Sequence, residues 1–159
     1  MTSKSTNLFK SILHNFGVVF VGFAVAFLGS RLDALIGISG FHSIFADAAG
    51  CLLVIVGFLL RVWATFYFYE HRMKVISLAA QETLITSGPY RFARNPLYLG
   101  GNVFIFFGAS LLLRSPTALF ITAIHLLLMD HFIRREEKQL EKKFGEEWAR
   151  YRQRVRRWI

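Results

Sequence analysis

The chain has 159 residues, is 54% hydrophobic and 16% aromatic with 17 Phe, and carries 19 Lys and Arg against 10 Asp and Glu. That length holds one domain rather than two ordinary ones, and the apolar content exceeds that of soluble proteins. The lone cysteine, Cys51, excludes a disulfide framework and a cysteine metal site.

The first ten residues are polar and are expected to be mobile. Ser11 to Ser30 is then a 20-residue run without Asp, Glu, Lys or Arg. Its Ala24-Val25-Ala26 triplet resembles a signal cleavage site but lies inside the apolar run, so the segment is read as an uncleaved helix. A Gly- and Ser-rich loop from Gly29 to Asp47 leads to Ala48–Tyr69, 22 residues interrupted only by Arg61. Arg61 either snorkels to the interface or marks function, as intramembrane charges do. Cys51 is read as a packing residue. Asn95–Leu113 is a 19-residue uncharged run and Ser115–Met129 a 15-residue one. A bilayer core of about 30 Å takes roughly 20 helical residues, so the first three segments qualify. The fourth is short and spans only by borrowing residues up to Ile133. Arg114-Ser115-Pro116 turns the last pair as a hairpin. The expected fold is all-α: one domain, 1–159, an integral membrane bundle of about four helices over 11–30, 48–69, 95–113 and 115–133. A C-terminal amphipathic segment, 134–159, completes it.

The basic residues fall on one side of these segments. Lys4, Lys10, Arg72, Lys74, Arg91, Arg94 and the set from Arg134 to Arg157 flank one end, whereas Arg31 and Arg114 fall at the other. Such an excess marks cytoplasmic loops, which puts both termini and the central loop in the cytoplasm, with the tail attracting anionic membrane lipids. The same distribution speaks against nucleic acid as the partner.

The stretch SGPYRFARNPLYLGG, Ser87 to Gly101, stands at the mouth of the third segment. Gly88-Pro89 marks a turn and Asn95-Pro96 a helix start, with Asn95 placed to cap through its amide oxygen. That accounts for the glycine and the prolines. It does not account for Tyr90, Arg91, Arg94 and Tyr98 converging on one helix N-terminus, where free N–H groups favour anions.

In the tail, Leu126, Asp130, Ile133, Glu137, Leu140, Phe144, Trp148, Tyr151, Val155 and Trp158 recur at spacings of three and four, forming one stripe. Gly145 is expected to bend or break it. A carboxylate at Glu137, among Ile133, Leu140 and Phe144, is costly unless paired. Its expected place is a polar pocket shared with the loop arginines. Glu136 points away from the stripe, toward solvent or nearby basic residues. Beyond Gly145, Trp148 and Trp158 suit a helix lying on the bilayer.

LITSGPYRFARNPLYLG, followed by RREEKQLEKKFGEEWARY, resembles the isoprenylcysteine carboxyl methyltransferase family, whose wider clan includes the phospholipid methyltransferases. That family carries Gly-Pro-Tyr-Arg, Arg-His-Pro-x-Tyr-x-Gly and a C-terminal Glu-Glu-x-x-Leu. The resemblance covers Val62 to Tyr151. It implies a membrane enzyme that binds S-adenosylmethionine (SAM) in a cytoplasm-facing pocket. It also implies cofactor binding by Gly88, Tyr90, Arg94, Asn95, Tyr98, Gly100, Glu136 and Glu137, with Arg94 and Glu137 catalytic. Two positions depart from the pattern: Asn95 replaces the family's histidine, and Trp148 stands where a tyrosine is usual. Asn95 can hydrogen-bond a cofactor but cannot titrate near neutral pH.

The chemistry agrees with the residue types. Methyl transfer from a sulfonium is largely a matter of alignment; arginines and helix N–H groups suit the cofactor's carboxylate, and Glu137 its positive end. A lipophilic acceptor entering from the bilayer explains a site at the membrane. With no histidine in the motif as a base, a carboxylate acceptor is favoured over a phospholipid amine or a small thiol. An NADPH-dependent membrane reductase and a non-catalytic membrane protein are the rival classes. His125, Asp130 and His131 lack metal-ligand spacing, so no metal is expected.

Overall fold

Apolar segments of this length leave backbone amides no partner but each other, and helices result. The computed structural model describes residues 3–71 and 83–158. Its helices are α1 (Ser3–Ile36), α2 (Ile44–Glu70), α3 (Pro96–Leu112), α4 (Pro116–Phe144) and α5 (Glu146–Arg154), with a short 3-10 turn at Gly88–Arg91 and no strand among the described residues. A π-helical stretch, Leu99–Ile105, lies within α3. The all-α membrane bundle expected from the sequence is the fold observed.

Three helices, α1, α2 and α4, are long and apolar enough to cross a bilayer, with mean hydropathies of 2.0, 2.1 and 1.5. The short helix is α3, not the fourth segment as expected. Its run from Pro96 to Leu112 reaches roughly 25 Å at 1.5 Å per residue. Helix α4 instead continues through Asp130, Arg134 and Glu137 to Phe144. Those charges interrupt the apolar run but not the helix, because Asp130 pairs with Arg134 one turn on, at 2.6 Å. Helix α1 likewise begins at Ser3 rather than Ser11. Its polar residues have partners across the bundle: the Ser11 hydroxyl bonds Thr65, and Asn15 donates to Thr65 at 2.8 Å.

Glycines let α2 and α3 touch backbone to backbone. A Cβ on Gly57 would lie 2.5 Å from the Gly100 carbonyl, and one on Gly108 would lie 2.8 Å from the Gly50 carbonyl. Small residues at both crossings give the close approach that membrane helices use in place of a hydrophobic driving force. Large apolar side chains such as Phe20, Phe45, Leu52, Phe120 and Leu127 point outward. Cys51 is on this outer face and is exposed, so the packing role expected for it does not hold.

The far end of the bundle is tied by polar contacts. Arg114, in the left-handed region at φ 54, makes the turn between α3 and α4, and its guanidinium meets Asp47 at 2.8 Å. The Ser115 hydroxyl oxygen accepts from the Ala118 amide at 3.0 Å, capping α4, while Asp33 of α1 accepts from the Ser115 hydroxyl and, at 3.1 Å, from the Thr117 amide. The start of α1, the end of α2, the start of α3 and the late part of α4 gather at the opposite end, as the Ser11–Thr65 and Tyr98–Glu136 bonds require. The candidate site forms there.

Candidate functional site

The site begins with a tight turn. Gly88 adopts φ 59, and a Cβ at this position would run into the ring of Tyr67. Only glycine suits both constraints. The 3-10 turn that follows drives Tyr90 inward, to 7% exposure, against Phe68, Ala64 and Ile85. Two bonds then attach the tail: the Tyr151 hydroxyl donates to the Tyr90 carbonyl at 2.7 Å, and the Arg94 amide donates to the Arg156 carbonyl at 2.9 Å. Gly145, at φ 49, ends α4 and redirects the chain so that α5 folds back. Trp148 and Tyr151 pack on Leu140, with Leu84 and Phe144 beside them. The apolar face of α5 is therefore spent on the protein rather than on the bilayer, which corrects the surface-helix expectation.

These elements enclose a cavity of about 30 Å³, room for one or two waters. Of the residues singled out from sequence, Tyr90, Arg94, Asn95, Glu136 and Glu137 line it. Tyr98 stands one contact behind, its hydroxyl donating to Glu136 at 2.9 Å. Gly88 and Gly100 do not line it: Gly88 makes the turn, and Gly100 is pressed against Gly57 and Arg61. The stripe supplies Leu140, Trp148 and Tyr151, and the loop supplies Leu84 and Ile85. Arg72 and Lys74, in the same loop, lie outside the described residues.

Glu137 is 8% exposed and heavily engaged. Arg157 approaches it with Nη2 at 2.5 Å and Nε at 3.2 Å from each carboxylate oxygen, and Arg94 Nη2 stands at 3.4 Å. Arg157 also reaches Asp130 at 3.3 Å. Bonding to Glu137 raises the Arg157 pKa above its ordinary value. The Asn95 side chain donates toward Glu137 at 3.5 Å and makes no capping bond to α3. The expected cap fails because the buried carboxylate claims the amide instead.

Facing this carboxylate is a set of unmet donors. Tyr90 Oη, Arg94 Nε and Nη1, and Trp148 Nε1 are buried with no hydrogen-bond partner among the described residues. The Arg94 guanidinium lies over the Trp148 ring at 5.6 Å, a stacked arrangement that favours the cation. Burial lowers the Arg94 pKa, opposed by Glu137, and the group stays charged at neutral pH. Burial also raises the Tyr90 and Tyr151 hydroxyls above their ordinary value, so both remain neutral donors. Buried polar groups are normally satisfied. The open Nε–H and Nη1–H of Arg94 point to different sides of the guanidinium, and together with an indole N–H and a phenol they make a donor-rich, positively charged lining that fits an anionic group. Ile85, Leu140 and the Trp148 ring supply apolar wall. A nucleoside-sized ligand requires those walls to part.

A sequence model of phospholipid methyltransferases matches residues 45–147. The chain belongs to the phospholipid methyltransferase family. An uncharacterized protein of Haemophilus influenzae is 54% identical over 37 residues, 23% of this chain; the chain spans 59% of that relative's length. No solved structure matches. The three apolar spans agree with an integral membrane protein. Trp148, Tyr151 and Arg157 lie beyond the matched stretch, and Arg157 enters the site by geometry alone.

Proposed function

We propose that this chain is a SAM-dependent membrane methyltransferase whose acceptor is lipophilic and enters from the bilayer, with a carboxylate of the isoprenylcysteine kind favoured. The site and both termini face the cytoplasm, as the charge asymmetry favours. The reading is carried by the unmet donors of Tyr90, Arg94 and Trp148 in one cavity. Arg94 offers an unmet N–H donor to the cofactor's carboxylate, while Glu137 holds its Nη2 and the indole stacks on its face. Asn95, Glu136 and Glu137 supply oxygens for the cofactor's ammonium. The bound cofactor supplies an electrophilic methyl group. A carboxylate acceptor needs no base, and no histidine lines the cavity. A phospholipid amine is the second reading, favoured by the family match; Glu136 is the acid placed to receive its proton.

The test is calorimetric titration of the detergent-solubilised protein with SAM, S-adenosylhomocysteine and NADPH. Transfer of a labelled methyl group to a prenylated cysteine, a phosphatidylethanolamine and an alkyl thiol follows. SAM binding with transfer to the cysteine carboxylate is expected. Transfer to the amine alone selects the second reading, NADPH binding alone replaces the methyltransferase with a reductase, and no binding of either leaves a non-catalytic protein.

A further inference from the structure

Arg61 lies in α2, inside a candidate span, and is 8% exposed. Of the two readings raised by its sequence position, snorkelling does not describe its surroundings. It does not snorkel: its Nε donates to Asn15 Oδ1 of α1 at 2.7 Å, and its Nη1 donates to the Leu97 carbonyl of α3 at 2.7 Å. It does not line the cavity, and no carboxylate among the described residues lies within ion-pair distance of it. A buried cation held by neutral groups alone is costly in a bilayer, and side chains so placed are retained for what they arrange.

What it arranges is the first turn of α3. Leu97, two residues before the π stretch, gives its carbonyl oxygen to Arg61 close to the point where the hydrogen bonding of α3 changes from α to π. Space for the guanidinium comes from Gly100 and Gly101. A Cβ on Gly101 would lie 2.6 Å from Nη1, and one on Gly100 would lie 2.8 Å from Cγ. Asn15 fixes the other edge and is itself held, donating to the Ser11 carbonyl and to Thr65, each at 2.8 Å. Asn95 and Tyr98 flank Leu97, and these two reach Glu137 and Glu136 across the interface with α4.

We propose that Arg61 is a positioning residue: it clamps the Leu97 carbonyl so that α3 presents Asn95 and Tyr98 to the paired glutamates of α4. Its part in methyl transfer rests on the function proposed above; its hold on α3 does not. Three helices thereby meet on one guanidinium, and Lys, whose donors all radiate from one nitrogen, does not reproduce the two fixed donor positions, Nε and Nη1, that Arg61 uses.

The experiment compares wild type with Arg61→Lys, Arg61→Met and Gly101→Ala, the last leaving the charge in place while crowding its tip. Amide hydrogen exchange in micelles is read over residues 95–101, and SAM affinity is read by calorimetry. All three variants should exchange faster in that turn, while the far end of the bundle around Asp33 and Ser115 keeps its protection. SAM affinity should fall about tenfold to a hundredfold. Combined with Tyr98→Phe, Arg61→Met should cost no more than Arg61→Met alone, because both act through one contact. Unchanged exchange at 95–101 in Gly101→Ala and Arg61→Lys overturns the clamp whatever the protein binds. Additive losses of affinity overturn the route through Tyr98. Failure of wild type to bind SAM overturns the proposed function instead and leaves the exchange result to judge Arg61.

Discussion

Replacing Glu137 with Gln removes one charge from the most heavily contacted carboxylate in the site. Arg157, 24% exposed at its side chain, and Arg94, 9% exposed, both face it. Breaking a buried pair by deleting one partner typically costs about 3–5 kcal/mol, because the other charge is left uncompensated. Two features reduce that here. Gln keeps an oxygen to accept from Arg157, and Arg157 retains Asp130 at 3.3 Å and some solvent. A loss of about 2 kcal/mol in stability follows, roughly 4–8 °C in the unfolding midpoint of a chain this size. The effect on ligand binding is separate. Without its counter-charge Arg94 is no longer drawn toward α4, and its unmet donors leave the line of Tyr90 and Trp148. SAM affinity should fall by on the order of tenfold or more, equivalent to about 1.4 kcal/mol or above. Glu136 is half-buried and accepts from the Tyr98 hydroxyl at 2.9 Å. Its replacement by Gln keeps an acceptor there and should change affinity only several-fold, in keeping with about 1 kcal/mol for a partly solvated contact. Calorimetry on both variants in detergent, with circular dichroism to verify folding, makes the comparison. Equal losses would mean that the two acids weigh equally on the ligand and that the burial of Glu137 confers no larger role, and the reverse order would refute the orientation of α4.

Four further outcomes are expected. Gly57→Val, whose Cβ would meet the Gly100 carbonyl at 2.5 Å, should destabilise the α2–α3 contact by about 2 kcal/mol or more; Gly17→Ala, with nothing within 4 Å, should not, and thermal midpoints in micelles decide. Truncation after Lys143 removes Trp148, Tyr151 and Arg157, and should abolish SAM binding while membrane insertion, read by fractionation, persists. Tyr90 and Tyr151 should not ionise near pH 10: their folded pKa values lie above the unfolded one, so the folded state holds more protons there, and stability is level below pH 10 and falls above it. Difference absorbance of Tyr90→Phe against wild type reads this directly. Reporter fusions after Gly40 and after Ile159 should report opposite sides of the membrane; the same side for both would refute the topology.

Helix number and arrangement were legible because the bilayer leaves a charge-free run little freedom. Where charge enters a helix, run length misleads. Asp130 ended the uncharged run at Met129, and the fourth membrane helix was read only to Ile133, yet in the folded chain Arg134 and Arg157 neutralise Asp130 and Glu137 and α4 runs on to Phe144. The converse error, calling α3 long, came from counting the uncharged Asn95 and Leu113, which fold as its two boundary residues. Helical phase put Glu137 in the buried stripe, but Glu136, expected to face solvent or basic residues, is half-buried, accepts from Tyr98 and lines the same cavity. The partner of Asn95 was not legible. A cap is a local inference, whereas the amide's contact is 42 residues away.

Arg157 is the clearest case of a site residue that no local pattern could mark. Its spacing from Glu137 means nothing until Gly145, at φ 49, sets the direction in which the chain leaves α4. The stripe through Trp148, Tyr151 and Val155 predicted an apolar face without naming what that face covers, because a lipid tail and a protein core attract it equally. Polar contacts settle the choice. A helix lying on the bilayer has no reason to deliver the Tyr151 hydroxyl to the Tyr90 carbonyl or the Arg156 carbonyl to the Arg94 amide. Both bonds need α5 folded back over the loop. Both also use loop or tail backbone that any sequence would supply, so the contacts that select this arrangement are the side chains of Tyr151 and Arg157. Exposed neighbours such as Arg150 and Arg154 have no such partner across the cavity. Of the tail's arginines, Arg157 is the one turned inward onto the site's carboxylate.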